Sequence, residues 1–227
     1  MIRPKRIIES TVGLVAAANF RQLAKQIVCV GRNYPDPVVD AKLPKPTRPI
    51  LFMKSANAFI SESQNIRRPP GCKKLLTEVE LGVVFGKTTS NVSRNEAMNY
   101  VAGYTVALDM TAGDILEDLR SQSLPWFVAK SFTTSCPVAE FLPKNFVPDP
   151  HQLELLCRVN GEERQRESTS KMFFDVPTLI EFASSYMTLE AGDVMLTGTP
   201  TNVKECKEGD QIDIYLSNLL KATFFVE

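Results

Sequence analysis

Apolar residues along this chain fall in short runs bounded by Pro, Gly, Asn and Asp, the pattern of buried strands joined by turns. Residues 27–30 and 50–53 read as strands, the second following a loop that carries Pro44, Pro46 and Pro49. Residues 75–85 and 100–110 are longer apolar runs and predict two further strands. Residues 153–159 and 162–166 flank Asn160-Gly161, a dipeptide that tolerates positive φ and so suits the type I′ turn of a hairpin. Helical spacing is rarer. Ser93-x-x-Glu96 reads as a capping box opening a short helix, with Ala97, Met98 and Val101 on its apolar side. Asp114 opens a second helix that runs through Leu119, and residues 176–187 form an amphipathic helix with Pro177 in its first turn. Ala191-Gly-Asp and Glu208-Gly-Asp each introduce a turn and a strand, and residues 221–226 close the chain. The sum is an α+β protein, mostly β, and not a doubly wound one.

Two carboxylates break the apolar pattern. Glu78 and Glu80 sit inside the 75–85 run, where alternation places them on one face of a strand and Val79 and Leu81 on the other. Like charges this close raise each other's pKa unless a cation compensates them. A wet edge strand would also accommodate them, so the pair alone leaves metal binding open. Asp109 ends the 100–110 run. An Asp in that place is often an N-cap, but with Glu78 and Glu80 it completes an all-oxygen triad suited to magnesium, manganese or calcium rather than zinc. Magnesium is favoured, since three carboxylates leave octahedral positions for water or substrate. Lys130 follows an apolar run, and its cationic head would meet an anionic substrate near the carboxylates. The polar turn Thr197-Gly-Thr-Pro200 is a further candidate.

Composition excludes more than it adds. The 227 residues are 44% hydrophobic with no Pro/Gly/Ser-rich linker, which predicts a single domain over 1–227 with 1–26 as a short lead-in. Lys+Arg and Asp+Glu are equal at 26 each, so no basic footprint points to nucleic acid. No apolar run is long enough to span a membrane, and the N-terminus lacks a secretory signal. Cys29, Cys72, Cys136, Cys157 and Cys206 are odd in number and widely spaced, as reduced thiols of an intracellular protein would be. The compartment is cytoplasm or mitochondrial matrix. Arg3, Lys5, Arg6, Arg21 and Lys25 against Glu9 loosely resemble a mitochondrial presequence, although an ordinary basic first strand and helix is the simpler reading. The lone His151 lies in a turn-like Pro148-Asp-Pro-His, which speaks against a histidine-based nucleophile, and no phosphate-cradling glycine motif occurs.

Several motifs occur in one order: Cys29-Val-Gly-Arg-Asn-Tyr34, Glu78-Val-Glu-Leu-Gly, Leu108-Asp-Met-Thr-Ala, Ala129-Lys-Ser-Phe, Ser135-Cys-Pro-Val, Val159-Asn-Gly-Glu and Leu196-Thr-Gly-Thr-Pro200. In this the chain resembles the fumarylacetoacetate hydrolase family, in particular its small acylpyruvate hydrolase and oxaloacetate decarboxylase branch. The resemblance implies a mixed β-sandwich roll, usually a homodimer, with Mg2+ or Mn2+ held by Glu78, Glu80 and Asp109. It also implies that Lys130 and Thr199 contact a 2-oxo acid, with Arg32 and Lys54 near its carboxylates.

The chain departs from the pattern in the water-activating half. Where this branch carries a histidine and, three residues on, a glutamate, the chain has Pro37 and Asp40. Proline cannot transfer a proton, which leaves Asp40 as the one titratable group of the pair. Gly113 and Leu116 stand where arginine and glutamine are typical, and Thr201-Asn-Val-Lys replaces a loop with lysine and glycines. The favoured expectation is a metal-dependent enzyme that decarboxylates or tautomerises a 2-oxo acid such as oxaloacetate, with Lys130 as proton donor. The alternatives are an acylpyruvate hydrolase using Asp40 as base, and a catalytically impaired binder of metal and oxo acids.

Overall fold

The computed structural model describes residues 14–227. In chain order the strands are β1 (Gln26–Gly31), β2 (Ile50–Ser55), β3 (Phe59–Ile60), β4 (Leu75–Thr77), β5 (Val79–Phe85), β6 (Val101–Leu108), β7 (Thr111–Ala112), β8 (Cys136–Pro137), β9 (Leu142–Pro143), β10 (Glu154–Val159), β11 (Glu162–Ser168), β12 (Val194–Leu196), β13 (Lys204–Cys206), β14 (Gln211–Leu216) and β15 (Leu220–Phe225). Six of them form a mixed sheet in the order β2-β1-β12-β5-β6-β9, with β1 and β12 parallel and the other neighbours antiparallel. A four-stranded antiparallel sheet, β11-β10-β14-β15, packs against it, and β13-β4-β7 and β3-β8 are smaller sheets. The architecture is therefore α+β and mostly β.

The near-continuous apolar runs follow from this layering. Val28 and Val30 of β1 join Leu81, Val83 and Phe85 of β5 in a core shared with Leu155, Cys157, Ile212 and Ile214 of the four-stranded sheet. Their neighbours Ile27, Cys29 and Val84 turn the other way, into a second cluster with Phe20, Phe59 and Val138. A sheet covered on both faces needs apolar residues at every position, not at alternate ones.

The structure refines the predicted elements. The 75–85 run is two strands broken at Glu78, with β4 in the three-stranded sheet and β5 in the six-stranded one. In the capping box Ser93 Oγ lies 3.1 Å from Glu96 Oε2, but only the 3-10 turn Ala97–Asn99 follows before β6 begins. The hairpin turn has Asn160 at φ 52° and Gly161 at φ 80°, as type I′ requires. The helix Val176–Tyr186 starts after Asp175, whose carboxylate accepts from the Thr178 N–H at 2.9 Å. The helix Gly113–Ser121 carries Asp114 in its first turn, and that carboxylate accepts the N–H groups of Lys73 and Lys74. All five cysteines are buried and unbridged. Arg3, Lys5, Arg6 and Glu9 lie outside the described residues; further along, Phe20 is buried and Arg21 pairs with Glu140 at 2.6 Å. No helix of the described residues is long and apolar enough to cross a membrane.

Candidate metal centre

The break at Glu78 builds the centre. Where the chain leaves β4 for β5, the Glu78 carbonyl accepts the Asp109 N–H at 2.8 Å, joining the two strand ends that carry the acids. One carboxylate oxygen from each of Glu78, Glu80 and Asp109 lies within 4.8 Å of the other two. Glu80 projects from β5, and its Oε2 accepts the Gly198 N–H at 2.7 Å. That contact requires glycine: φ is +100°, and a Cβ there would come within 2.7 Å of Asn33 Cβ. Glu78 Oε1 accepts from Thr111 Oγ1 at 2.8 Å.

Two lysines approach the triad from different sides. Lys130, at the end of the short helix Phe127–Lys130, places Nζ 2.8 Å from both Glu78 Oε2 and Asp109 Oδ2, and 4.9 Å from the centroid of the Phe52 ring. Lys54 is fully buried beneath Asp109, with Nζ 2.8 Å from Asp109 Oδ1 and 3.0 Å from the Met110 carbonyl, and it also donates to the Lys130 carbonyl. The sequence resemblance put Lys54 near a substrate's carboxylates. In the fold it lies behind a triad acid, because the inward face of β2 points into the core at that position.

Three carboxylates facing two ammonium groups leave the cluster anionic. Burial pushes Glu80 well above the ordinary glutamate value, and the neighbouring Asp109 and Glu78 push it further. Burial also raises Glu78, only partly offset by Lys130. At Asp109 burial acts upward too, but Lys130 and Lys54 outweigh it and hold the carboxyl below its usual range. The same acids keep Lys130 protonated, raising it against the opposing effect of burial. Asp109 Oδ1, although beside Lys54, is buried and accepts no well-directed hydrogen bond. Hard oxygen donors and one carboxylate in excess of the ammonium groups fit a divalent cation held by Glu78, Glu80 and Asp109.

The triad opens into a cavity of about 210 Å³ that also takes in Lys130, Arg32, Thr199 and Trp126. Thr199 donates to the Val79 carbonyl at 3.0 Å and accepts from Gln165 Nε2 at 2.9 Å. Gln165 was not legible as a site residue. It is buried, its Oε1 accepts the Val79 N–H at 3.0 Å, and its amide also donates to the Pro200 carbonyl at 2.8 Å, so it pins the Thr199 turn to β5. A lone Gln in a charged hairpin strand carries no signal of this, although its neighbours Arg164 and Arg166 point the other way by alternation.

Arg32 and Asp40 are occupied with each other. Arg32 Nη2 lies 3.4 Å from Asp40 Oδ1 and 3.1 Å from the Pro44 carbonyl, on a backbone held at φ 54°. Asp40 Oδ2 accepts the Asp36 N–H at 3.0 Å. Pro37 opens the four-residue helix Pro37–Asp40, capped by Asp36. The Asp40 carboxylate is thus tied into its own loop and is not among the groups that line the cavity.

Residues 26–226 match the model of the fumarylacetoacetate (FAA) hydrolase C-terminal domain. The chain is 49% identical over 210 residues to the mitochondrial oxaloacetate tautomerase fahd-1 of Caenorhabditis elegans, covering 92% of this chain and 98% of that one. It is 40% identical to the mitochondrial oxaloacetate decarboxylase of Dictyostelium discoideum, over 88% of this chain and 92% of that one. Its fold is similar to the crystal structure of a fumarylpyruvate hydrolase from Pseudomonas aeruginosa in complex with Mn2+ and pyruvate, with a TM-score of 0.84 and 27% identity over 89% of each chain.

Proposed function

The chain belongs to the fumarylacetoacetate hydrolase family, and we propose that it is a magnesium- or manganese-dependent enzyme that tautomerises or decarboxylates oxaloacetate. The observation that carries this reading is the convergence of three carboxylates, one within a strand and two at strand ends, within 4.8 Å beside a protonated lysine in a small cavity. When bound by Glu78, Glu80 and Asp109, the ion supplies Lewis-acid stabilisation of negative charge on the 2-oxo acid.

In tautomerisation the C3 proton leaves and the C2 oxygen gains one. In decarboxylation the C3–C4 bond breaks, carbon dioxide departs and the electron pair moves toward the same C2 oxygen. Both place developing charge at one atom, and the Lys130 ammonium, fixed by two carboxylates and free to donate a third hydrogen bond, suits it. Thr199, held by Gln165 and Val79, lines the same cavity. Neither reaction needs an activated water, which agrees with Pro37 and with an Asp40 turned to Arg32. Hydrolysis of an acylpyruvate would need one.

Within this reading the matched stretch acts as one catalytic unit, in the mitochondrial compartment named for the relatives. A second copy of the chain covers the apolar hollow of about 300 Å³ beside edge strand β2, where Met53 and Phe127 stand exposed, and makes a homodimer.

The test is to offer the purified protein enol-oxaloacetate, oxaloacetate and an acylpyruvate, with magnesium and with chelator. Magnesium-dependent decay of the enol absorbance or release of carbon dioxide is expected, with acylpyruvate cleavage far slower. Acylpyruvate cleavage at matching rates, or no metal-dependent turnover of any of the three, overturns the reading.

A further inference from the structure

Three cations line the cavity, Arg32, Lys130 and Arg120, and their partners distinguish them. Lys130 is held by Glu78 and Asp109, and Arg32 by Asp40 and two loop carbonyls. Arg120 enters no ion pair among the described residues. Its guanidinium instead lies over the Trp126 ring, 4.6 Å from the centroid, and Trp126 packs against Phe52 with ring centroids 6.1 Å apart. A cation–π contact of this kind holds the guanidinium against the ring face and does not use up its N–H donors.

Helix geometry aims this group at the chemistry. Gly113, Leu116, Glu117 and Arg120 recur on the face of the helix Gly113–Ser121 that borders the cavity. Side chains on a helix lean toward its N-terminus, so Arg120 leans back toward the end that follows Asp109 and Thr111. Its Cα stands about 10 Å farther along the helix axis than Gly113, at the spacing of a helical rise. Gly113, having no side chain, supplies no closer group. The remaining acid on this face, Glu117, is taken by Lys74 at 3.0 Å.

We infer that Arg120 is the specificity-determining residue that binds the carboxylate of the substrate remote from the triad, selecting dicarboxylic over monocarboxylic 2-oxo acids. The inference rests on the proposed oxo-acid activity and refines it. The 2-oxo carboxylate end is engaged at the triad and Lys130. The far carboxylate then meets the one cavity cation without a carboxylate partner, in the planar two-point geometry that arginine offers.

The test compares Arg120→Met, Arg120→Lys and Arg32→Met by the KM and kcat for oxaloacetate and by calorimetric binding of oxalate with magnesium. Oxalate fills the triad end alone. For Arg120→Met, KM for oxaloacetate is expected to rise about tenfold or more, the worth of one charge-assisted hydrogen bond, with kcat and oxalate affinity near those of the parent. Arg120→Lys should recover part of the loss. Equal weakening of oxalate and oxaloacetate in Arg120→Met, no weakening of either, or a selective loss in Arg32→Met instead overturns the assignment to Arg120. Failure of the unaltered protein to bind oxalate with magnesium would overturn the activity itself, a separate outcome read before any variant.

Discussion

The triad and the Arg32–Asp40 loop are both charged and both border one cavity, yet they are built in opposite ways. Glu80, Asp109, Lys54 and Lys130 are buried and project from or beside strands of the central sheets, and Asp109 meets both lysines at 2.8 Å. Arg32 and Asp40 keep 27% and 34% of their side-chain surface exposed, sit on a loop with a four-residue helix, and meet at 3.4 Å. Buried charges cost several kcal/mol each to desolvate, so they persist only where backbone and partners over-determine their places. Exposed pairs are screened and weak, and a loop can exchange them with little effect on the fold. The half of the site that carries the three acids is therefore rigid, and the loop that carries Pro37 and Asp40 is replaceable.

The largest test of that contrast is Lys130→Met. Leaving the buried Glu80 and Asp109 and the half-buried Glu78 with Lys54 alone should cost the chelator-treated protein about 3 kcal/mol or more in urea denaturation, with magnesium restoring part of it. Oxalate binding should be lost. A cost below about 1 kcal/mol would place Lys130 with the weak surface pairs.

Glu80→Gln should give a smaller change, of opposite sign. The amide oxygen still accepts the Gly198 N–H, and a buried like charge is removed, so the chelated protein should be within about 1 kcal/mol of the parent or more stable. The magnesium-induced rise in Tm should vanish. The effect depends on pH. Because Glu80 titrates above its ordinary 4.5 in the fold, the folded state holds more protons above that pH, and the chelated parent loses stability as pH rises through the window up to the raised value. The variant should lack that part of the slope. A variant less stable than the parent by more than about 1 kcal/mol at pH 7 in chelator would contradict a triad with one carboxylate more than its lysines can balance.

Asp40→Asn should change least. Loss of an exposed pair predicts a stability change under about 1 kcal/mol, and oxalate affinity and oxaloacetate turnover should stay at the parental level. A loss of turnover comparable to that of Lys130→Met would make Asp40 a participant and erase the contrast between the two regions.

The acids were legible because two like charges inside an apolar run violate the local pattern, and such violations gather at functional sites. Lys130 stood out for a similar reason, following Phe127, Val128 and Ala129. Gln165 obeyed its local pattern and gave no sign. Its partners Val79 and Thr199 lie 86 and 34 residues away, and only folding brings them together. Lys54 shows the same limit from the other side. Its chemistry was read as a site cation, but which way it faced depended on how β2 pairs with β1 at the sheet edge.

Period and composition alone determined the β-rich class, the Asn160-Gly161 hairpin, the helix at Val176–Tyr186 and the candidacy of Glu78, Glu80 and Asp109, though not their convergence, since each follows from local conformational preference or from charge within an apolar run. Tertiary structure alone decided the break at Glu78 that turns one strand into two, the burial of Lys54 beneath Asp109, the pairing of Arg32 with Asp40, and the lack of a carboxylate partner for Arg120. Those are outcomes of packing and long-range electrostatics, which depend on distances between residues that the order of the chain does not contain.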